Sequence, residues 1–206
     1  MDEWRQFGQL ASRSTEQGSV SLRRTLAGIA VETKALGFKM ASEPAVGAFL
    51  RSLVASRPKG VILELGTGTG LSTAWMLDGL SKGGQLVSVD SDSAVQGVAR
   101  RHLESDPRIS FSCMDGSDFI CAVAPGQFDL IFADAWPGKY SQLEEALALL
   151  KPGGIYIVDD LLPQPNWPDG HQESVNYFIA AMKAREDFAV ALMDWASGLL
   201  VATKLV

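Results

Sequence analysis

The sequence predicts an α/β fold: a Rossmann-like, doubly wound sheet of seven strands, mostly parallel with the last strand antiparallel, and helices on both faces. Three observations carry the prediction. Short apolar runs alternate with segments of helical period, as βα units require. The first of these runs, Val61-Ile-Leu-Glu-Leu65, passes directly into the glycine-rich turn Gly66-Thr-Gly-Thr-Gly70. The chain closes on two β-rich runs, Phe188–Trp195 and Leu199–Lys204, joined at Ser197-Gly198 as a hairpin.

Taken in order, residues 1–40 read as one or two helices broken near Gln17-Gly-Ser, with Leu22, Leu26, Ile29 and Ala30 on one face of a cap or lid outside the sheet. Ser42-Glu-Pro sets a helix start, Ser42 as N-cap and Pro44 in the first turn, with Val46, Phe49, Leu50 and Leu53 as the buried stripe. The first strand is apolar on both faces, which suits a parallel strand covered on both sides. Its three glycines permit a tight turn and close backbone approach to a ligand before a helix at about 71–80.

A second strand, Gln85–Asp90, ends in an acid on the same rim as Gly66, because right-handed crossovers bring consecutive parallel strands out side by side. Ser91 or Asp92 can cap the helix 92–104, which leaves Asp90 for a ligand. Ile109–Cys113 is the third strand, followed by Met114-Asp-Gly116, where Asp115 is either a ligand residue or an N-cap. The fourth strand, Gln127–Asp134, ends in an acid before Ala135-Trp-Pro-Gly-Lys-Tyr140. A Leu/Ala-rich helix runs to Leu150, Lys151-Pro-Gly-Gly154 turns, and the fifth strand Ile155–Val158 ends in Asp159-Asp160. The stretch 161–171 carries three prolines and lies within a compact domain, where a long loop is usually functional. A helix at about 172–185 leads to the hairpin.

At 206 residues, with 47% apolar and 20% charged residues, the chain has the composition of one globular domain: a helical cap over 1–56 and an α/β core over 57–206. A net charge of −6 gives no electrostatic footprint for nucleic acid. Cys113 and Cys121 have neither metal-ligand nor disulfide spacing and read as buried thiols. The absence of a signal peptide pattern or a membrane-length apolar run makes the cytoplasm the expected compartment. The apolar face near residues 22–30 could dock on the sheet or on a second copy in a homodimer.

The spacing Gly-x-Gly-x-Gly departs from the dinucleotide fingerprint, in which the third glycine comes one residue later. With Glu64 just inside the strand end, it resembles motif I of the class I S-adenosylmethionine (SAM) methyltransferases. From about residue 35 onward the chain is similar to the small catechol and caffeoyl-CoA type O-methyltransferases. That likeness rests on Leu63–Ser72, on Asp129-Leu-Ile-Phe-Ala-Asp-Ala-Trp136 with Tyr140, and on Gly153–Asp160. It implies SAM-dependent methyl transfer to an oxygen of a small aromatic acceptor, with Glu64, Gly66, Thr67, Gly68 and Ser72 near the methionine end. Asp90 would take the ribose, Asp115 and Gly116 the adenine, and Asp134 and Trp136 would also line the cofactor.

The resemblance further implies a divalent cation such as Mg²⁺ held by Asp134, Asp159 and Asp160. Three carboxylates at neighbouring strand ends suit a hard cation, which would lower a phenol's pKa. The chain departs from the family at two places: Asp160 stands where the family has Asn, and the family's base lysine falls on Pro137, with Lys139 two positions later. Asp134, Lys139 and His171 are the catalytic candidates, and Trp167, Asn166 and His171 the candidates for the acceptor pocket. The alternatives are an NAD(P)-dependent oxidoreductase, against which the glycine spacing and the closing hairpin speak, and a non-catalytic SAM-binding module.

Overall fold

The computed structural model describes residues 18–164 and 167–206; the opening stretch before Gly18 and the pocket candidate Asn166 lie outside them. The helices are α1 (Val20–Leu36), α2 (Pro44–Ala55), α3 (Leu71–Gly79), α4 (Ser93–Leu103), α5 (Gly116–Ala122), α6 (Leu143–Ala148) and α7 (His171–Lys183). The strands are β1 (Val61–Leu65), β2 (Gln85–Asp90), β3 (Ile109–Cys113), β4 (Phe128–Ala133), β5 (Leu150–Val158), β6 (Phe188–Met193) and β7 (Leu199–Lys204). All seven expected strands are present, in the order β3-β2-β1-β4-β5-β7-β6, with β7 antiparallel to both of its neighbours.

By their contacts the residues fall into two compact units. In the first, up to Gly60 plus Thr67–Cys113, β2 and β3 run parallel from Leu86 opposite Ile109 to Asp90 opposite Cys113. Helix α1 packs on α3 and α4, and α2 packs on α3, so these N-terminal helices have helical neighbours of their own. Leu22, Leu26, Ile29 and Thr33 are the buried residues of α1. Ala30, expected on that face, is exposed, because the i, i+4, i+7, i+11 stripe continues to Thr33. In α2 the cap is Glu43, without a side-chain bond, instead of Ser42; Val46, Gly47, Leu50 and Val54 are buried, while Phe49 and Leu53 are only partly so. Gly47 is there because a Cβ would stand 2.1 Å from the Trp75 ring.

The second unit, Val61–Gly66 plus Met114–Val206, holds β1, β4, β5, β7 and β6. Leu65 pairs with Ala133 and Ala133 with Val158, so three chains leave the sheet at one level. Gly66, Asp134 and Asp159 are therefore the first residues past the same rim. Leu63, Leu130, Phe132, Tyr156 and Ile157 are wholly buried, each apolar side chain contributing roughly 1.5–3 kcal/mol over its exposed state. Lys151–Gly154, expected as a turn, is already strand, with the pairing of β4 and β5 shifting register between Phe128 and Leu130. The N-cap reading of Asp115 holds, since α5 starts directly after it. One further expectation fails: Cys113 and Cys121 are exposed free thiols, Cys113 ending a strand at the sheet edge.

Candidate functional site

In the first unit the glycine turn is built by a polar network. Thr67 N donates to Val89 O (3.1 Å) and the Thr67 hydroxyl pairs with Ser88 Oγ at 2.6 Å. Buried Gln96 donates from Nε2 to Thr67 Oγ1 (3.1 Å) and to Ser112 O (3.0 Å). The Thr33 hydroxyl of α1 donates to Thr69 Oγ1 at 2.8 Å. Every one of these groups would be costly to bury unpaired, so the network fixes a single loop conformation. Ser72, at the start of α3, is buried.

Asp90 is not left unengaged. Its Oδ2 accepts from Gly68 N (2.8 Å) and its Oδ1 from Asp92 N (2.9 Å), while Asp92 caps α4 through Ala94 N and Val95 N. A carboxylate keeps lone pairs beyond these two, so the clamp orients Asp90 without exhausting it. The glycines divide by purpose. A Cβ at Gly70 would lie 2.5 Å from Ala99 Cβ, so that glycine serves helix packing; at Gly68 (φ +53) the nearest atom is the Phe38 ring at 3.4 Å. Phe38 was missed in the sequence, where no periodicity marks a residue just past a helix.

In the second unit a Cβ at Gly66 would meet Asp134 O at 2.7 Å, so Gly66 lets β1 and the end of β4 approach. Asp134 N donates to Leu65 O at 2.8 Å. Asp115 is the N-cap of α5, accepting from Ser117 N at 2.7 Å, and Gly116 lies against Pro137. Trp136 is half exposed, 4.8 Å from the Tyr140 ring and 5.8 Å from His171. Glu64 is wholly buried.

The acids past the rim share one environment. Burial first, then the charges of Asp159 and Asp160, hold the Asp134 carboxyl well above the usual range, while Lys139 pulls it down. Asp159 is raised to about 6 by burial and then by Asp160, against the pull of its Ser197 hydrogen bond. Its Oδ1 accepts from Ser197 Oγ and from Asp160 N (2.7 Å). Among the described residues no three His, Cys, Asp or Glu side chains are grouped so that they could hold a metal ion. Asp134, Asp159 and Asp160 thus meet electrostatically without forming a chelating set.

His171 opens α7 instead of lying in the preceding loop. Its Nε2 is 3.3 Å from the Tyr140 hydroxyl, its ring centroid is 4.4 Å from that of Trp167, and its buried Nδ1 has no hydrogen-bond partner among the described residues. Burial, then Lys139, lowers its pKa, so the ring is neutral near pH 7 and can accept a proton. Beside it a recess of about 300 Å³ is lined by Lys139, Tyr140, Leu143, Tyr177 and Phe178, with Glu173 and Ser174 at its polar edge. Tyr177 and Phe178 gave no functional signal in the sequence because they sit on an ordinary amphipathic helix.

Residues 63–161 match the family model described as "Methyltransferase domain". The chain is 27% identical over 198 residues to a Mycobacterium leprae (strain Br4923) protein whose name marks it as a candidate O-methyltransferase, covering 91% of this chain and 88% of that one. The O-methyltransferase of Bacillus cereus, solved with S-adenosylhomocysteine, is 25% identical with a TM-score of 0.77, over 88% of this chain and 90% of its own. At the level of fold, the SAM-bound TomG of Streptomyces achromogenes superposes over 100% of both chains with a TM-score of 0.80 at 21% identity. The oxidoreductase and non-catalytic readings give way to these likenesses: with this glycine turn and seven-stranded sheet, the chain is similar to the SAM-dependent O-methyltransferases.

Proposed function

We propose that the protein methylates an oxygen of a small aromatic acceptor, and that the recess beside Tyr140 receives that acceptor. The observation that carries the reading is the lining of that recess: apolar and aromatic walls from Leu143, Tyr177 and Phe178 and a cation, Lys139, with a proton acceptor, His171, held against the lining residue Tyr140. Pockets for small ligands are built this way, largely apolar with few placed polar groups. SAM supplies a methyl group on a positively charged sulfur. The acceptor oxygen forms the new C–O bond as the C–S electron pair leaves with sulfur, and the oxygen's proton must go to a base.

The protein's own residues meet those needs by position. Neutral His171 takes the proton, and Tyr140, whose own ionisation is suppressed by burial and then by Asp160 and Asp134, holds the ring through its hydroxyl. Lys139 offers positive charge to the oxygen as it becomes anionic. In the first unit, Asp90 fixed to Gly68 N is set to accept from ribose hydroxyls, with Thr67, Gly68 and Ser72 beside the methionine end. In the second unit, Glu64, Gly66, Asp115, Gly116, Asp134 and Trp136 are the residues that the family resemblance makes cofactor candidates.

The divalent cation fits less well. Asp159 Oδ1 already has two donors, and the three acids are not grouped as ligands, so no step is routed through a metal. Calorimetry with SAM and NADH, followed by mass detection of methylated products from a panel of phenols, catechols, amines and thiols, tests the proposal. SAM should bind, Asp90→Ala should weaken it about tenfold or more, and phenolic oxygen should be the methylated atom. Methylation confined to amines or thiols would refute the acceptor assignment.

A further inference from the structure

His171 is not among the residues that line the recess; Tyr140 is, and its hydroxyl lies 3.3 Å from His171 Nε2, with the two ring centroids 5.2 Å apart and the rings edge-on. The other ring nitrogen cannot serve as a base. Nδ1 is buried and has no hydrogen-bond partner among the described residues, so no proton reaches it from an acceptor. Nε2 is the working nitrogen, and the Tyr140 hydroxyl occupies it.

Tyr140 is held in that position. Its N donates to Trp136 O at 2.9 Å, and its ring packs edge-on against Trp136 (4.8 Å between centroids) and Phe178 (6.3 Å) as well as His171. The turn before it is fixed by Gly138 N donating to Ser141 O (2.7 Å) and by the buried Tyr156 hydroxyl donating to Gly138 O. Only glycine suits position 138, where φ is +86 and a Cβ would stand 2.7 Å from Leu65 Cδ1. A ring confined in this way keeps its hydroxyl against Nε2. A phenolic hydroxyl is both donor and acceptor, so it can take a hydrogen from one oxygen while giving its own to a nitrogen and stay neutral throughout.

We propose that Tyr140 is a catalytic residue that relays the acceptor's proton to His171. The acceptor O–H bond breaks and its hydrogen bonds to Tyr140 Oη, while the Tyr140 O–H bond breaks and that hydrogen passes to His171 Nε2. The pair left on the acceptor oxygen forms the new C–O bond, the C–S pair leaves with sulfur, and His171 ends as the imidazolium. The relay rests on the acceptor site proposed above and adds the route by which its base is reached. It also fixes the resting tautomer: the neutral ring carries its hydrogen on Nδ1 and leaves Nε2 bare.

Two acceptors at pH 8 test this: the phenol that the wild type methylates fastest, and a nitro-substituted form of the same phenol, which is already ionised there and has no proton to give. Tyr140→Phe keeps the ring and removes only the hydroxyl. It should slow transfer to the un-ionised phenol at least about 100-fold, mainly through kcat, and transfer to the nitro-substituted one less than about tenfold, with SAM affinity unaltered by calorimetry. His171→Gln should show the same selectivity, and the double variant should be no slower than the slower single variant, because the two side chains act as one unit. Equal losses on both acceptors, the mark of a ring that only shapes the site, would overturn the relay, as would losses that multiply in the double variant. Nitrogen NMR of histidine-labelled wild-type protein reads the tautomer without any substitution in the measured chain, His171→Gln identifying which signals of the two histidines belong to it. A hydrogen on Nδ1 supports the relay; one on Nε2 would overturn it. Wild-type protein that binds SAM but methylates no phenol would sink the proposed function, while the tautomer still reports on the Tyr140–His171 pair.

Discussion

Replacing Asp159 by Asn should stabilise the fold at alkaline pH and do nothing in acid. The carboxyl is buried beside Asp160 and titrates at about 6, against 3.8 for an unperturbed aspartate. A raised pKa means that the folded state holds the proton more tightly than the unfolded chain. The favourable contribution is therefore complete below pH 3.8 and is lost as pH rises through 6. At pH 8 the ionised side chain costs about 3 kcal/mol relative to its neutral form. Asn keeps an oxygen for Ser197 Oγ and Asp160 N but carries no charge, so it removes this cost. The shift is shared with Asp134, which makes 3 kcal/mol an upper bound, or a gain in Tm of roughly 6–12 °C for a domain of this size. Thermal unfolding of both proteins in EDTA, without SAM, at pH 4, 6 and 8 should show the gap opening with pH. A gap that is the same at all three values, or a less stable variant at pH 8, would refute the account of the acid cluster.

Gln96→Ala should cost about 2–4 kcal/mol and lower Tm by roughly 5–15 °C, because it removes the bonds to Thr67 Oγ1 and Ser112 O and the acceptor for Arg100 Nε; calorimetry with SAM should show weaker binding as the glycine turn loosens. Gly70→Ala should cost at least about 2 kcal/mol, since φ is +93 and the new Cβ would fall 2.5 Å from Ala99 Cβ. Gly126→Ala, with φ +72 but open space, should cost only about 1 kcal/mol of backbone strain, and denaturant midpoints compare the two.

Much of the site's location was legible beforehand because it depends on where strands end, and strand ends are marked by local pattern. Asp90, Asp134 and Asp159 each close an apolar run, and parallel pairing brings the last two past one rim. What those acids do there was not legible. Asp90 looked available but is clamped to Gly68 and Asp92, and Asp115 turned out to cap α5. Backbone N–H partners are chosen by turn geometry, which residue spacing does not encode.

The sequence by itself determined the strand count, the reversed final strand and the family resemblance, because period-two and period-3.6 patterning and glycine spacing act over a few residues. Tertiary structure alone decided that Gly66 and Gly70 serve close packing, that Cys113 and Cys121 face outward, and that Lys139, two places from where the family keeps its lysine, is buried. Those outcomes depend on which distant chain segments come within a few ångströms of one another, and burial converts such neighbours into shifted pKa values and steric limits that no local pattern carries.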